Sequence, residues 1–208
     1  MHQIKIKINS DADEPLAYRL LTCAAALFAK KGYAATSVRE IVAAAGITKP
    51  ALYYHYGSKE GLYLAIMEAA LDYFRTTLDS FRQDNRTVLQ KMVALADLLF
   101  SMVTTEMDIT RLIYATHYRP PQGSPFFDIH PFGDKLREAI LEIVKKGIQE
   151  KELRPGDPVD ITWAFLGAIH LVMESEICFS DRSPGREGLQ RIIELIYDGF
   201  STKGSAGV

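Results

Sequence analysis

The sequence predicts an all-α protein of about nine helices, with a three-helix helix-turn-helix head at the N-terminus and a larger helical domain after it. Apolar residues recur at helical spacing along most of the 208 residues. Capping residues precede several of these segments, and no alternating pattern typical of a β-hairpin interrupts them. Each helix is therefore justified by its own apolar spacing and by the signals at its ends.

The first helix is expected to begin near Pro15 and to end at Gly32, with Lys30 and Lys31 in its last turn. Cations are favoured there because the carbonyl end of a helix carries partial negative charge. Its apolar stripe consists of Leu20, Cys23, Ala24, Leu27 and Phe28. This spacing predicts one buried face.

The second helix is short and marked at both ends. Ser37 and Glu40 have the spacing of a capping box, in which each side chain binds the backbone of the other residue. A helix is therefore expected from Val38 to Ala45, and Gly46 ends it.

A third helix is expected to follow after two residues. Thr48 can cap it, and Pro50 fits its first turn because an N–H there has no helical partner. Gly57 ends it, and Ser58 caps a fourth helix that is expected to run to about Phe81.

The remainder of the chain continues the helical spacing. Further helices are expected at about 89–103, 109–118, 134–151, 158–179 and 185–200. Residues 119–133 hold four prolines and two glycines, which predicts a loop or a broken helix entry. Residues 201–208 are expected to form a frayed tail.

Three regions are expected from these elements. Residues 1–13 form a flexible N-terminal arm, residues 14–74 form the head with its helix-turn-helix motif at 37–56, and residues 75–208 form the body.

The charge is distributed unevenly between these regions. The net charge is only −2, but residues 1–60 carry eight Lys and Arg against five Asp and Glu, a net +3 that leaves −5 for the rest. A basic end on an acidic body is typical of a protein that binds a polyanion through that end.

The second and third helices, joined at "AGIT", have the pattern of a helix-turn-helix. Ile41, Ile47 and Leu52 are expected to face the core, together with Tyr56. The outer face of the third helix then carries small, basic and aromatic residues: Lys49, Pro50, Ala51, Tyr53, Tyr54 and His55. Such a face suits a recognition helix in the major groove, but the same pattern also suits a purely structural unit with solvated tyrosines.

The stretch "GYAATSVREIVAAAGITKPALYYHYGSKEGLYLAI" resembles the DNA-binding head of tetracycline-repressor (TetR) family regulators. The features that carry the resemblance include Gly32-Tyr33, Thr36-Ser37, Arg39-Glu40-Ile41, Ala45-Gly46-Ile47-Thr48-Lys49, Leu52-Tyr53, His55-Tyr56 and Ser58-Lys59-Glu60. The resemblance covers residues 14–74. It implies a homodimeric transcription regulator, usually a repressor, that binds near-palindromic operator DNA and is released by a small-molecule effector.

The resemblance also implies a role for individual residues. Contacts with DNA phosphates are expected from Thr36, Ser37, Tyr54, His55 and Lys59. Base edges or adjacent phosphates are expected to be approached by Arg39, Thr48, Lys49 and Tyr53, with Arg39 as the best candidate for a guanine contact. Pro50 stands where the family often has glycine, so van der Waals contact with thymine methyl groups is expected from Pro50 and Ala51.

A dimer interface is predicted from the last two helices. The helix at 158–179 carries one apolar stripe suited to its own core and a second that includes Trp163, Leu166 and His170. The final helix carries a single stripe, and the interface is expected to include its residues Leu189, Ile192, Ile193, Ile196 and Phe200. Packing of all these faces within one subunit is the alternative.

An effector pocket is predicted between the fourth helix, the 89–118 region and the helix at 158–179. Its wall is expected to include Leu71, Phe74, Tyr114, Phe126, Trp163 and His170. Taken singly, each of these residues is also consistent with a place in the core. Neither metal-ligand spacing nor a cofactor motif is present, so no metal, no cofactor and no catalytic residue are expected.

The leading hypothesis is a DNA-binding repressor released by a small, largely apolar ligand. An all-helical small-molecule-binding protein or enzyme that uses the head as an interaction module is the alternative. The N-terminal residues lack the pattern of a signal peptide, and "TWAFLGAIHLVM" is interrupted by His170, so a cytoplasmic protein without a membrane segment is expected.

Overall fold

A computed structural model describes residues 14–79, 86–118 and 122–202. Within these ranges the chain forms helices and a single isolated bridge, between Leu153 and Ser201. In chain order the helices are α1 (Glu14–Lys31), α2 (Val38–Ala45), α3 (Lys49–Tyr56), α4 (Lys59–Asp79), α5 (Val88–Thr105), α6 (Met107–Tyr118), α7 (His130–Gln149), α8 (Pro158–Cys178) and α9 (Gly185–Phe200). The prediction of an all-α fold of about nine helices is confirmed.

Several predicted features lie outside the described residues. They are the N-terminal arm at 1–13, the end of the fourth helix near Phe81, residues 119–121 of the proline-rich loop and residues 203–208 of the tail.

Helix α7 begins earlier than the sequence predicted. The expected start was near Asp134, because Pro131 and Gly133 resemble loop residues, but the helix begins at His130. Proline is accommodated in a first helical turn, and the Asp128 carboxylate accepts a hydrogen bond from the His130 N–H at 3.1 Å. The helix start therefore lies inside the stretch that was assigned to the loop.

The chain divides into two compact units, residues 1–75 with 106–131 and residues 76–105 with 132–208. In the first unit α1 packs against α2 and α6. The Tyr18 hydroxyl donates to the Glu106 carboxylate at 2.9 Å, and burial together with this carboxylate raises the pKa of Tyr18 to about 12. The buried hydroxyls of Tyr63 and Thr116 are also 2.9 Å apart. Helix α6, which the sequence assigned to the body, thus packs with the head.

In the second unit α9 packs against both α5 and α8. The connection between α7 and α8 is tied to the end of α9, since the Arg154 N–H donates to the Phe200 carbonyl at 2.7 Å and the Thr202 N–H to the Glu152 carbonyl at 3.0 Å. This unit contains all eight predicted dimer residues.

Helices α5 and α8 are long and apolar enough to cross a membrane by length and composition alone. One histidine lowers the mean hydropathy of α8 only slightly, so the interruption at His170 does not exclude α8 by this criterion. The criterion is weak evidence for a membrane span, since core helices also meet it. Both helices contribute buried side chains to the core of the second unit, including Leu95 and Phe165.

Candidate nucleic-acid interface

The start of α2 is held by the predicted capping box. The Ser37 hydroxyl accepts a hydrogen bond from the Glu40 N–H at 3.3 Å, and the Ser37 N–H donates to the Glu40 carboxylate at 2.9 Å. The Lys31 ammonium at the end of α1 pairs with the same carboxylate. The bond from Lys31, followed by those from Ser37, lowers the pKa of Glu40 to about 2. The carboxylate thus joins α1 to the first turn of α2.

The turn between α2 and α3 depends on Gly46. Its backbone is left-handed, with φ 65° and ψ 38°, a conformation that strains residues with a Cβ atom. The following N–H, of Ile47, donates to the Val42 carbonyl at 3.0 Å. Thr48 then caps α3, accepting from the Ala51 N–H at 3.4 Å. These local bonds determine where α3 begins.

Helix α3 has one inner and one outer face. Leu52 is fully buried, whereas Tyr53 is 48% exposed and Tyr54 is 84% exposed. Tyr56 is half-buried, its hydroxyl donates to the Ala17 carbonyl at 3.5 Å, and burial raises its pKa. The rings of Tyr54 and His55 contact each other edge to face, with centroids 5.2 Å apart. The outer face is therefore aromatic.

Most of the predicted DNA-contacting residues lie at the surface of this motif. The exposed ones are Ser37, Arg39, Thr48, Lys49, Pro50, Tyr53 and Tyr54, and Ala51 and His55 are half-buried. Their contacts with DNA stay a prediction.

Thr36 and Lys59 are placed differently from the prediction. Thr36 is 1% exposed and its hydroxyl donates to the Gly32 carbonyl at 2.8 Å, so its side chain does not face a phosphate. The Lys59 ammonium donates to the carbonyls of Tyr33 at 2.9 Å and Thr36 at 3.0 Å, and it lies 4.1 Å from the centroid of the Tyr33 ring. Both side chains hold the loop between α1 and α2.

Tyr33 and Lys31 also help to hold the motif together, a role that was not predicted for them from the sequence. Tyr33 is buried, and its ring packs 5.4 Å from that of Phe28 and 5.3 Å from that of Tyr63, measured between centroids. Burial, then the Glu60 charge, raises the pKa of Tyr33. An aromatic residue directly after the glycine that ends α1 was the available signal.

Comparison with known proteins identifies the motif. Residues 20–66 match the model of the family described as bacterial regulatory proteins, tetR family. Residues 20–66 thus form a DNA-binding head of the TetR type. The prediction made from the residues between Gly32 and Glu60 is confirmed, and the chain is a DNA-binding transcriptional regulator.

Similarity extends beyond the head. The transcriptional repressor KstR2 of Mycobacterium tuberculosis strain H37Rv is 27% identical over 167 residues, which cover 80% of each chain. The structure of AibR in complex with isovaleryl coenzyme A and operator DNA has a TM-score of 0.63 and 25% identity, and the match covers 89% of this chain and 98% of that one. The SmeT–triclosan complex has a TM-score of 0.72 at 17% identity, covering 91% and 93%, and supports the fold alone.

The predicted dimer residues separate into two groups. Leu189 and Ile193 are 1% and 0% exposed within the second unit, so their assignment to a subunit interface is wrong. A side chain already covered by its own subunit has no surface left for a partner. Trp163 and His170 are exposed, while the other four are half-buried: Leu166, Ile192, Ile196 and Phe200.

Two exposed leucines on the same helices were missing from the predicted interface. Leu171 on α8 is 66% exposed and Leu195 on α9 is 71% exposed. Leu195 therefore extends the exposed apolar surface of α9 beyond the predicted stripe.

The predicted pocket residues also differ in burial. Leu71 and Phe74 are buried in the first unit, and Tyr114 is half-buried with its ring 6.2 Å from that of Tyr118. Phe126 is 89% exposed, which does not suit a wall residue of an enclosed site in this chain. Trp163 and His170 are exposed in the second unit. A shared pocket stays a prediction.

Proposed function

We propose that this regulator is a homodimeric repressor of the TetR family that binds a near-palindromic operator and is released from it by a small, largely apolar effector. The observation that carries the proposal is the division of α3, in which Leu52 is buried while Tyr53 and Tyr54 project outward beside Lys49. A helix anchored from behind in this way can enter the major groove without losing its core contact.

The roles proposed on DNA follow from exposure and chemistry. Arg39 offers a guanidinium for bidentate contact with guanine, and Lys49 offers a mobile positive charge for phosphates or base edges. Tyr54 and His55 can donate to phosphates, and Pro50 and Ala51 are small enough for contact with thymine methyl groups. Lys59 and Thr36 support this surface from inside.

The proposed dimer is supported by the exposed apolar side chains of α8 and α9. Trp163, Leu171 and Leu195 are each more than half exposed in the single chain. Large apolar surface on two neighbouring helices is typical of a subunit interface. A two-fold dimer would present its two recognition helices about 34–36 Å apart, one turn of duplex DNA.

The proposed effector control is supported by the relatives. KstR2 is named a repressor, and AibR was crystallised with both a coenzyme A thioester and operator DNA. An effector releases DNA only if it binds the DNA-free conformation more tightly, and DNA must then weaken effector binding by the same factor. We also propose that the protein acts in the cytoplasm and is not an enzyme. Its relatives support this, because they are named transcriptional regulators.

The decisive experiment is selection of duplexes from a random pool by the purified protein, followed by sequencing. The expected result is a near-palindrome whose affinity falls steeply with salt because bound counterions are released. Failure to enrich any sequence, together with affinity that does not depend on salt, would favour a head that serves only as an interaction module.

Arg39→Ala tests the proposed base contact. The expected cost is about 1–3 kcal/mol, concentrated at one operator position, because a bidentate contact with one base pair is lost. Competition between the selected operator and single-base variants measures it. An equal loss on operator and random DNA would show that Arg39 contacts a phosphate instead.

A further inference from the structure

Lys91 in the first half of α5 is a charged side chain within the core of the second unit. It is 6% exposed, and no other Lys, Arg, Asp or Glu in the described ranges is buried to this degree. Its neighbours on the same side of α5 are apolar: Val88, Met92 and Leu95 are 4%, 0% and 1% exposed. A lysine stem can lie along such a surface, but its ammonium then needs an acceptor or water.

Two carboxylates on or beside α5 have other partners. Glu152 accepts a hydrogen bond from the Val88 N–H at 2.8 Å. Asp97 pairs with Arg186, on a side of α5 about 120° away from Lys91 by the 3.6-residue helical repeat. In the part of the chain that the structure describes, Lys91 has no hydrogen-bond acceptor and no ion pair for its ammonium.

The ammonium nevertheless retains access to solvent. Among the described residues that are not exposed, no side-chain nitrogen or oxygen is both sealed from solvent and without a partner. The Lys91 nitrogen therefore keeps some contact with water. A charge removed from bulk water without a counter-ion is unfavourable, and an anion that reached it would gain a strong, charge-assisted bond.

We propose that Lys91 binds the anionic group of the effector, a carboxylate or a phosphate. This inference rests on the proposed function and defines the effector as an amphipathic anion. It replaces His170, which is exposed on α8, as the residue that recognises the polar group. A lysine suits this role because its compact charge accepts either kind of anion.

The test compares three probes that share one acyl chain: decanoate, decanoyl coenzyme A and decanol. Titration calorimetry on the full chain should show at least one anion binding about tenfold or more tightly than decanol. Lys91→Met should lower the affinity for that anion about tenfold to hundredfold and leave the affinity for decanol unchanged. Lys91→Arg should retain most of the binding, since the charge remains.

Two controls separate ligand binding from a structural role. Lys145→Met removes an exposed lysine of α7 and should bind all probes as the wild type does. Ligand-free Lys91→Met should melt at the same temperature or higher, because the substitution leaves no partner unpaired. A lower melting temperature with unchanged anion affinity would assign Lys91 to the core and overturn the inference.

Two results with the wild-type protein alone would also overturn the inference: decanol binding as tightly as both anions, or no binding of either anion. The preference between decanoate and its coenzyme A thioester distinguishes a carboxylate from a phosphate ligand.

Operator release distinguishes the role proposed for Lys91 from the proposed function, and it is measured by fluorescence anisotropy. Anion binding that needs Lys91 but leaves operator affinity unchanged contradicts only the proposed function. Release by either anion that survives Lys91→Met contradicts only the role of Lys91.

Discussion

The α2–α3 segment and the α8–α9 pair are both amphipathic, yet their orientations have different origins. In α2 and α3, the caps at Ser37 and Thr48 and the left-handed Gly46 set the ends of two eight-residue helices. Leu52 is the one fully buried residue of α3. Because Leu52 faces the core, Tyr53 and Tyr54 point outward. Local bonds thus determine which surface the protein offers to DNA.

Helix α8 is also capped, by Asp157, but a cap sets where a helix begins and not which of several apolar faces turns inward. Helix α8 carries apolar residues on nearly all of its sides. The apolar stripe of α9 is wide, so α9 could bury a similar apolar area at more than one rotation about its own axis. The structure turns Leu189 and Ile193 inward and leaves Leu195 exposed. Long apolar helices therefore take their orientation from the elements that they pack against, here α5 and each other.

The largest effect is expected from two substitutions on α9, two residues apart, that test which side of this helix faces the core. Ile193→Glu should destabilise the subunit by more than about 3 kcal/mol, because it buries a charge where no space or partner exists. Leu195→Glu should change the stability of the subunit by no more than about 0.5 kcal/mol and weaken the dimer. Urea unfolding measures the first effect and sedimentation the second. Equal behaviour of the two variants would show that the α9 orientation described above is wrong.

A smaller effect is expected from Lys59→Ala in the head. Loss of the bonds to the Tyr33 and Thr36 carbonyls should destabilise the protein by about 1–3 kcal/mol, because these bonds involve a charged donor. The dependence of DNA affinity on salt should stay unchanged, since the ammonium is committed inside the head. Denaturant unfolding and binding titrations at several salt concentrations test both statements.

Lys49→Ala is the matched control for Lys59→Ala. Lys49 is exposed at the start of α3, so its removal should lower the salt slope by about one and leave stability unchanged. The opposite outcome, a lower slope for Lys59→Ala with normal stability, would restore the phosphate contact that the sequence predicted.

The smallest expected effect is the pH dependence of the capping box. Because the pKa of Glu40 is lowered from 4.5 to about 2, the ionised carboxylate stabilises the folded state fully above pH 4.5. This stabilisation should be lost as the pH falls from 4.5 through about 2. Glu40→Gln should flatten the stability profile in that window, measured by chemical unfolding at each pH. Glu187→Gln, at an exposed carboxylate of α9, serves as the control, and an equal change in both variants would contradict the assignment.

The helices and the DNA-binding motif were predictable from short stretches of sequence. Ser37 with Glu40, Gly46 and Thr48 act on residues at most five positions away, so their effects are visible without knowledge of the fold. The same locality explains why the family resemblance could be recognised from residues 32–60.

The start of α7 shows where even local reasoning failed. Proline near a helix start is compatible with either a loop or a first turn, and only the bond from the His130 N–H to Asp128 distinguishes them. Rules for single residues leave such a choice open because two conformations satisfy them equally well.

By itself, the sequence determined the all-α fold, the helix-turn-helix motif and the outward face of α3, because each depends on bonds within a few residues. Only the tertiary structure decided that the Lys59 ammonium binds carbonyls 26 and 23 residues away and that α6 packs with the head through Tyr18 and Tyr63. It also decided which side of α9 faces the core and that Lys91 is buried without a counter-ion. These features depend on contacts between residues that are distant along the chain. The spacing of apolar residues indicates which faces of a helix can be buried, but it does not indicate which other part of the chain packs against them.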